Sequence, residues 1–572
     1  MRTRRNSRRT AAGTVPDPQD APRLRPAMRL RRALIAPLFA LATAAAAQDA
    51  TEAPAETGDA PLSAIDWLSD SVAVPAPGEA TAPSGTGPQL PASVLMPPIL
   101  PGTDGTGPLP APAPLDPVAV APLDDLGAEP DAIGILSPAV TGLPAGLWGA
   151  ARPEDVARRI IAERPEMLPA LQALLQTILL AELDPPRGPG GDGREVFLAR
   201  IDKLLQMGAL EPANALLERA PRDDPRIFRR HFDVALLLGE EQPLCELLAA
   251  SPQLSPTYQA RIFCLARAGS WESAALLLGT GTVLGLIPEE DADLFARFLD
   301  PDLFEGEPPL DMPITPTPLT FRMYEAIGQA IPTQSLPLAF AHSDLRSNIG
   351  WKARVEAGER LARTGAVSDN QLYGLYTERE AAASGGVWDR VEALQKVEAG
   401  LTAADRSATG KALPDLWAAL TLARVEVPIS RIIGPKLAEL NLKGEARQIA
   451  FHMALLSDAY EAQAAAAKPR SDSDRLLIDV ARGLVTAART KDPREQAVID
   501  GFTTAELPPR LATLVDEDRL GEAILRAITL LTEGASGDLD QVTDALALFR
   551  SVGLEDTARR AALEFLILDR RG

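Results

Sequence analysis

Three histidines, His231, His342 and His452, are the only imidazoles in the 572-residue chain. Each is more than a hundred residues from the next, and the sequence contains neither an HExxH nor a CxxC motif. A zinc site would therefore need several carboxylate ligands, and no spacing of Asp or Glu suggests such a set. The sequence predicts no metal site and no cofactor.

His342, Ser343 and Asp344 are the residue types of a hydrolase triad at consecutive positions. Neighbours in sequence do not thereby form a triad, because the fold must orient their side chains toward one another. The nearest approach to a GxSxG nucleophile motif, Gly-Ala-Ser-Gly at 534–537, is one residue short and is typical of a flexible turn. We predict that the protein has no catalytic residue and is not an enzyme.

Two further motifs have structural interpretations. The run Gly-Thr-Gly-Thr-Val-Leu-Gly at 279–285 looks like a nucleotide-binding loop, but it follows a helix rich in Ala and Leu instead of a strand. We interpret it as a connection between helices. The acids within 288–293 could ligate a cation, yet acids also favour the first turn of a helix, where amide dipoles attract them.

The elements around these residues form a repeat. Three segments align on Gly208, Gly239 and Gly269, which are 31 and 30 residues apart. In each segment a helix ends at the glycine, which can adopt the left-handed conformation, and a second helix follows a short turn. Five residues after each glycine the second helix carries a small or aliphatic residue: Ala213, Leu244 and Ala274.

This pattern resembles the tetratricopeptide family, whose period is about 34 residues and whose turn carries the same glycine with alanine five residues on. Gly553 and Ala558 repeat the signature near the C-terminus. The resemblance covers 195–300 and extends to 510–572, although the period is shorter and most of the family's aromatic positions are missing. It implies an all-α fold, a helical-hairpin solenoid with a concave surface that binds protein or peptide. A generic α-helical bundle is the alternative.

The N-terminus has the layout of an export signal. Arginines at positions 29, 31 and 32 precede an uncharged, mainly apolar stretch, 33–47, that ends in three alanines. The stretch is shorter than the roughly 20 residues that span a bilayer. We predict a signal peptide over 1–47, with the true start at Met1 or Met28 and cleavage before Gln48. The mature protein is then periplasmic without a membrane anchor, exported by the general route in preference to the twin-arginine route.

Residues 48–150 differ from the rest in composition. They contain 19 Pro and 13 acidic residues but no Lys or Arg. Such a segment favours extended states, and we predict a disordered acidic leader. The whole chain has a net charge of −21, and removal of residues 1–47, with ten Arg and two Asp, leaves −29. A surface this acidic repels phosphate backbones and anionic lipids, so nucleic-acid and direct membrane binding are not expected.

Two apolar segments interrupt the leader. In 62–74, Leu62, Ile65 and Leu68 share one helical face, with Trp67 beside it. This segment is a candidate for docking into a groove on a partner or on this protein's own body; the alternative is an accidental apolar cluster in a disordered tail. The second segment, 118–148, adjoins the folded part, and we expect it to lie along the first helices as an extended strap.

Cys245 and Cys264 are the only cysteines, and the predicted compartment is oxidising. Cys245 lies on the second helix of one hairpin and Cys264 on the first helix of the next. The turn between them centres near 253–254, about equally far from both, so antiparallel helices would place the two residues at the same height. We predict a disulfide; two buried thiols are the alternative.

The folded part divides by composition into a helical half over 151–300, an irregular Pro-rich connection over 301–350 and a helical half over 351–572. The second half is predicted to contain helices over 351–364, 370–376, 413–425, 444–465, 473–490, 517–532, 539–552 and 556–568.

Two classes of function fit this chain. The first is a non-catalytic adaptor or scaffold that binds another protein of the cell envelope, through a groove built from the first helices of the hairpins in 195–300. The second is a cell-wall-acting enzyme, or its regulatory part, with a site made of carboxylates alone, as in some glycosidases. Among so many acids no pair stands out, and the first class is our prediction.

Overall fold

The computed structural model describes residues 129–255 and 257–568. Within these ranges all regular structure is helical, with no β-strand, so the predicted all-α class is confirmed. The predicted signal peptide over 1–47 and the docking candidates Leu62, Ile65, Trp67 and Leu68 lie outside the described residues.

The helices alternate along the chain with short turns. The α-helices, numbered in order from α1 to α24, are Pro138–Thr141, Pro153–Ala162, Pro169–Leu180, Glu195–Gln206, Leu210–Leu217, Pro225–Leu238, Gln242–Ala250, Tyr258–Arg267, Trp271–Val283, Glu289–Leu299, Pro318–Ala326, Trp351–Ala362, Asp369–Thr377, Val387–Thr402, Arg406–Ala423, Glu426–Glu439, Gly444–Leu455, Tyr460–Ala466, Asp472–Ala481, Pro493–Thr503, Pro509–Asp516, Leu520–Gly534, Leu539–Ser551 and Glu555–Ile567. Short 3₁₀ helices cover Pro130–Ala132, Pro252–Leu254, Pro301–Phe304, Thr333–Ser335 and Leu338–Leu345.

The glycines of the sequence repeat end helices as predicted. Gly208, Gly239 and Gly269 have φ angles of 75°, 84° and 78°, in the left-handed region that glycine adopts without strain. The alanines five residues after the first and third of them, Ala213 and Ala274, are fully buried. The helix pairs α4/α5, α6/α7 and α8/α9 are therefore hairpins, and the first and third of them are closed at a buried alanine.

A disulfide joins Cys245 on α7 to Cys264 on α8, with the Cα atoms 5.1 Å apart. The 3₁₀ turn Pro252–Leu254 separates the two helices and places the cysteines opposite each other. The disulfide thus ties the second hairpin to the third.

Residues 129–148 lie along the first helices as the expected strap. Leu147 and Trp148 are fully buried, and the backbone N–H of Ile135 donates to the carbonyl of Leu180 over 2.9 Å. The guanidinium of Arg200, also fully buried, donates to three carbonyls on the strap and the end of α3: those of Ile133, Leu179 and Ala181. The predicted end of the disordered leader at residue 150 is therefore wrong, because packed structure is present from residue 129.

The last helices of the chain pack against the first. Helix α24 contacts α3, and α22 contacts α2. In an open solenoid each repeat contacts only its neighbours. The contacts between early and late helices join parts of the chain that are not neighbouring repeats. The solenoid arrangement therefore stays a prediction.

The connection over 301–350 is irregular, as predicted, but part of it is buried. In the 3₁₀ helix Leu338–Leu345, Ala339, Phe340 and Ala341 are fully enclosed. This helix packs against α4, α6 and α12, and α11 packs against α6. The connection therefore covers the first helices of two hairpins.

The hydrophobic core divides differently from the predicted halves. One cluster of buried side chains extends over 133–340, includes Val427 and continues from Leu455 to Leu568, while a second lies within 341–453. The final helices thus share their core with the first ones. The predicted boundary near 300–350 therefore marks where the second cluster begins. It does not separate the first helices from the final ones, which belong to the same cluster.

Candidate protein-binding surface

Helix α9 is apolar around most of its circumference but is covered along only one stripe. Glu272 is its only charged residue, while Ala274, Leu278 and Gly281 are the buried positions. A methyl group added at Gly281 would lie 2.6 Å from Cδ1 of Ile287, so this stripe packs closely on the following turn. A helix that is apolar on all sides is normally covered on all sides. The rest of α9 is therefore apolar, as an interface would be, and no element in the described part of the chain covers it.

The motif at 279–285 belongs to this helix. Gly279 and Gly281 lie in the last turns of α9, and Gly285, with φ of 68°, lies beyond its end. The prediction of a connecting loop is therefore wrong for 279–283. Thr280 and Thr282 each donate a side-chain hydrogen bond to the carbonyl four residues earlier, which keeps their hydroxyls on the helix.

Exposed large apolar side chains concentrate in the stretch of chain that contains α9. Of the eleven in the described residues, eight lie between 271 and 314, and Leu276 has 72% of its surface exposed. We call this set the 271–314 surface; its members are Trp271, Leu276, Val283, Leu284, Leu286, Leu303, Met312 and Ile314. Such a concentration of exposed apolar groups on a soluble protein typically marks a binding site.

The 271–314 surface is held in place by contacts beneath it. The ring of Trp271 lies 6.0 Å from that of Phe298 on α10, and the guanidinium of Arg297 lies over the ring of Phe304 at 5.5 Å. Farther along, the hydroxyl of Tyr324 donates to the carbonyl of Asp311 over 2.6 Å. Helices α8 and α10 also pack on α9. The exposed side chains are thus presented on ordered backbone.

The charge around this surface is strongly negative. Between residues 271 and 314 the sequence has ten acids and one base, Arg297. That arginine is engaged, because its Nη2 lies 3.3 Å from a carboxylate oxygen of Glu307 and its Nη1 donates to the carbonyl of Pro308. The acids at the start of α10 occupy its first turn, as the sequence predicts. The exposed apolar groups therefore belong to a strongly acidic stretch of the chain.

The groove predicted from the first helices of the hairpins is largely filled along α4 and α6. Helices α4 and α6 are mostly buried, under the 318–345 segment and against α2. Cavities of about 470 and 440 Å³ lie beside α5, and residues of α6 line both of them, while α7 lines only the larger one. The larger one contains His231, whose pKa is lowered to about 4 chiefly by burial and also by Arg222, so the ring is neutral near pH 7.

The three residues of the possible triad contact different partners. His342 is buried with its Nε2 against the carbonyl of Gly208, and Ser343 donates to the carbonyl of Leu237 over 3.4 Å. The carboxylate of Asp344 accepts a hydrogen bond from the hydroxyl of Thr333. The contacts of His342 and Ser343 join the connection to the hairpins, whereas the contact of Asp344 lies within the connection.

No group of three or more His, Cys, Asp or Glu side chains in the described part is arranged to hold a metal ion. Within the same ranges, no helix has the length and hydrophobicity needed to cross a membrane.

Comparisons with known proteins found no matching family model, no matching curated protein and no matching solved structure. The likeness to tetratricopeptide repeats therefore stays a prediction from the glycine and alanine spacing. The candidate site is argued below from the geometry and charge of the 271–314 surface.

Proposed function

We propose that this protein is an exported, non-catalytic adaptor that binds another envelope protein through the 271–314 surface. The observation that carries the proposal is helix α9, which is apolar on nearly every side and buried along one stripe only. Packing an apolar face of a partner against Leu276 and Val283 would remove that surface from water, which is the main source of affinity in such complexes.

The charge of the surface specifies the partner's chemistry. The stretch that carries the apolar groups contains ten acids and one base, so the complementary partner has an apolar face flanked by Lys or Arg. The leader is a poor occupant, because residues 48–128 contain acids but no base. A second copy of the chain would bring the same carboxylates against these, and like charges across an interface cost several kcal/mol.

The test uses a defined probe. A designed amphipathic helix of Leu and Lys is titrated into the protein at low and high salt, with a Leu/Glu helix as the opposite-charge control. We expect the Leu/Lys helix to bind, to slow hydrogen exchange of the α9 amides, and to bind more weakly as salt rises. The Leu/Glu helix should not bind.

Matched variants locate the binding. Leu276→Lys introduces a positive charge into the surface and should abolish probe binding, whereas Val140→Lys changes an apolar residue that is also 72% exposed but lies outside the surface. The same three proteins are then used to capture partners from native envelopes. Equal binding of the probe by both variants, or turnover of a cell-wall glycan without any protein partner, would contradict the adaptor function.

The export part of the proposal rests on the arginines and the apolar stretch before Gln48. N-terminal sequencing of the protein from its native host should give Gln48 as the first residue. A native protein that retains residues 29–47 would disprove it.

A further inference from the structure

A cavity of about 680 Å³ lies where the first, middle and last helices of the described chain meet. Its walls come mainly from four regions: 164–168 after α2, 360–364 at the end of α12, 421–426 between α15 and α16, and 532–536 at the end of α22. Gln206 and Leu338 complete the lining. The volume falls within the range of small-molecule sites, roughly 300–1,000 Å³. Its position differs from that of the 271–314 surface, and none of its lining residues belongs to that surface.

Four arginines line this cavity in a protein whose net charge is −21: Arg164, Arg360, Arg363 and Arg424. The lining also includes two carboxylates, those of Glu166 and Glu426. The wall therefore carries an excess of positive charge, the reverse of the chain as a whole.

The two inner arginines are fixed by neutral groups. Arg360 donates to the carbonyls of Thr333 and Leu336 over 3.0 and 3.2 Å, and Nε of Arg363 donates to the carbonyl of Ala423 over 2.8 Å. Carbonyl acceptors orient a guanidinium without cancelling its charge. Burial is the main cause that lowers the pKa of Arg360; Asp344 opposes it, and the nearby charge of Arg363 lowers it further.

The two outer arginines remain accessible. Arg164 is exposed, and Arg424 has about half of its side chain in solvent. Nη1 of Arg424 lies 3.2 Å from a carboxylate oxygen of Glu166, and this carboxylate is itself mostly exposed. Exposed pairs of this kind contribute little stability, so an incoming anion can compete for the guanidinium.

Apolar side chains complete the lining. Met167, Leu168 and Leu338 contact the same cavity as the arginines. A ligand that fits both parts has an anionic group and an apolar portion. We propose that this cavity binds an organic anion whose carboxylate or phosphate group lies among Arg164, Arg360, Arg363 and Arg424.

Binding there would also affect the fold. Because the four arginines come from the α2–α3 connection, the end of α12 and the α15–α16 connection, a bound anion bridges these three regions and stabilises the native state by mass action. Guanidinium groups bind both carboxylate and phosphate through paired hydrogen bonds. The experiment must therefore distinguish a carboxylate ligand from a phosphorylated one.

The experiment measures binding of citrate and of inorganic phosphate by calorimetry, with the melting temperature as a second readout and ionic strength held constant with NaCl. The variant Arg164→Gln/Arg424→Gln removes the two outer charges, which are carried by exposed side chains. Arg152→Gln/Arg158→Gln is the control, because it makes the same charge change at exposed ion pairs on α2.

We expect at least one anion to bind the wild type and the control, and the Kd of the cavity variant to rise by about tenfold or more, as loss of a charge-assisted hydrogen bond predicts. Binding of citrate alone identifies a carboxylate ligand, and binding of phosphate alone identifies a phosphorylated one. Absence of binding by both anions, or equal Kd values for the cavity variant and the control, would overturn the proposal.

Discussion

The carboxylate of Glu564, in the last helix, accepts a 2.8 Å hydrogen bond from the backbone N–H of Ala170, which lies 394 residues earlier in the first turn of α3. The N-cap position of α3 is Leu168, whose side chain cannot accept a hydrogen bond, so the cap comes from the other end of the chain. A carboxylate at this position also interacts favourably with the helix dipole. The contact between the first and last helices is therefore polar as well as apolar.

Removal of this cap should destabilise the fold. Glu564→Ala leaves a buried N–H without its acceptor, and we expect the free energy of unfolding to fall by about 2–3 kcal/mol. Glu564→Gln keeps an acceptor oxygen and should lose less. Urea unfolding measures both changes, and hydrogen exchange at Ala170 should accelerate in the alanine variant. Unchanged exchange there would show that the bond does not stabilise α3.

Burial of Asp233 predicts a specific pH dependence. Burial raises the pKa of this carboxyl to about 7, although the charges of Arg229 and Arg230 lower it. The folded state therefore holds a proton that the unfolded state releases above about pH 4. The raised pKa of Asp233 therefore stabilises the fold fully below about pH 4. This stabilisation is lost as the pH rises from there through 7.

The variant Asp233→Asn isolates this contribution, because other buried groups titrate in the same range. Burial also raises the pKa of Glu163 to about 7, and it lowers the pKa of His231 to about 4. Between about pH 5 and pH 8, the wild type should lose about 2–3 kcal/mol more unfolding free energy than the variant. Urea unfolding of both proteins at the two pH values measures the difference. Parallel pH profiles would show that Asp233 titrates normally in the folded protein.

The disulfide between Cys245 and Cys264 should contribute measurably to stability. It closes a loop with a sequence separation of 19, for which the chain-entropy model gives about 3 kcal/mol. The variant Cys245→Ser/Cys264→Ser should unfold at lower urea concentration by that amount, and addition of reductant should lower the wild type to a similar stability. Titration of unreduced, denatured protein is the check on the bond itself, and two reactive thiols would rule it out.

The hairpins were predictable because their signals are local. A glycine that must adopt positive φ, followed by a small residue five positions later, marks both the end of one helix and the close approach of the next. The N-cap at Ser368 is equally local, because its hydroxyl accepts from the N–H of Gln371 three residues later. Such features need no knowledge of distant contacts.

Helices that contain proline were predicted poorly. The sequence predicts a helix over 413–425, whereas the observed one is Arg406–Ala423, with Pro414 inside it. Helix Glu426–Glu439, which contains Pro435, was not predicted at all. Proline breaks isolated helices, but here a buried stripe that includes Leu413, Leu416 and Leu420 compensates for the lost hydrogen bond. Tertiary packing of this kind cannot be seen in the local sequence.

The candidate site was missed for a related reason. An apolar helix such as α9 predicts burial, and only the fold shows that no described element covers its outer sides. The arginine cavity is harder still, since its lining residues come from regions hundreds of positions apart. One property of the candidate site can be read from the sequence alone: the acidic composition of residues 271–314.

The last prediction concerns the packing of the strap on the final helices. A methyl group at Gly521 would lie 2.4 Å from Cε3 of Trp148, a fully buried ring. Gly521→Ala should therefore displace the strap and lower the free energy of unfolding by about 1–3 kcal/mol, the usual cost of overpacking. Gly374→Ala is the matched control, because Gly374 is also helical but has no atom within 4 Å of the added methyl group. The control should gain about 0.5–1 kcal/mol from its better helix propensity. Urea unfolding and limited proteolysis of residues 129–148 measure both variants, and equal stabilisation by the two alanines would mean that Trp148 does not pack against α22.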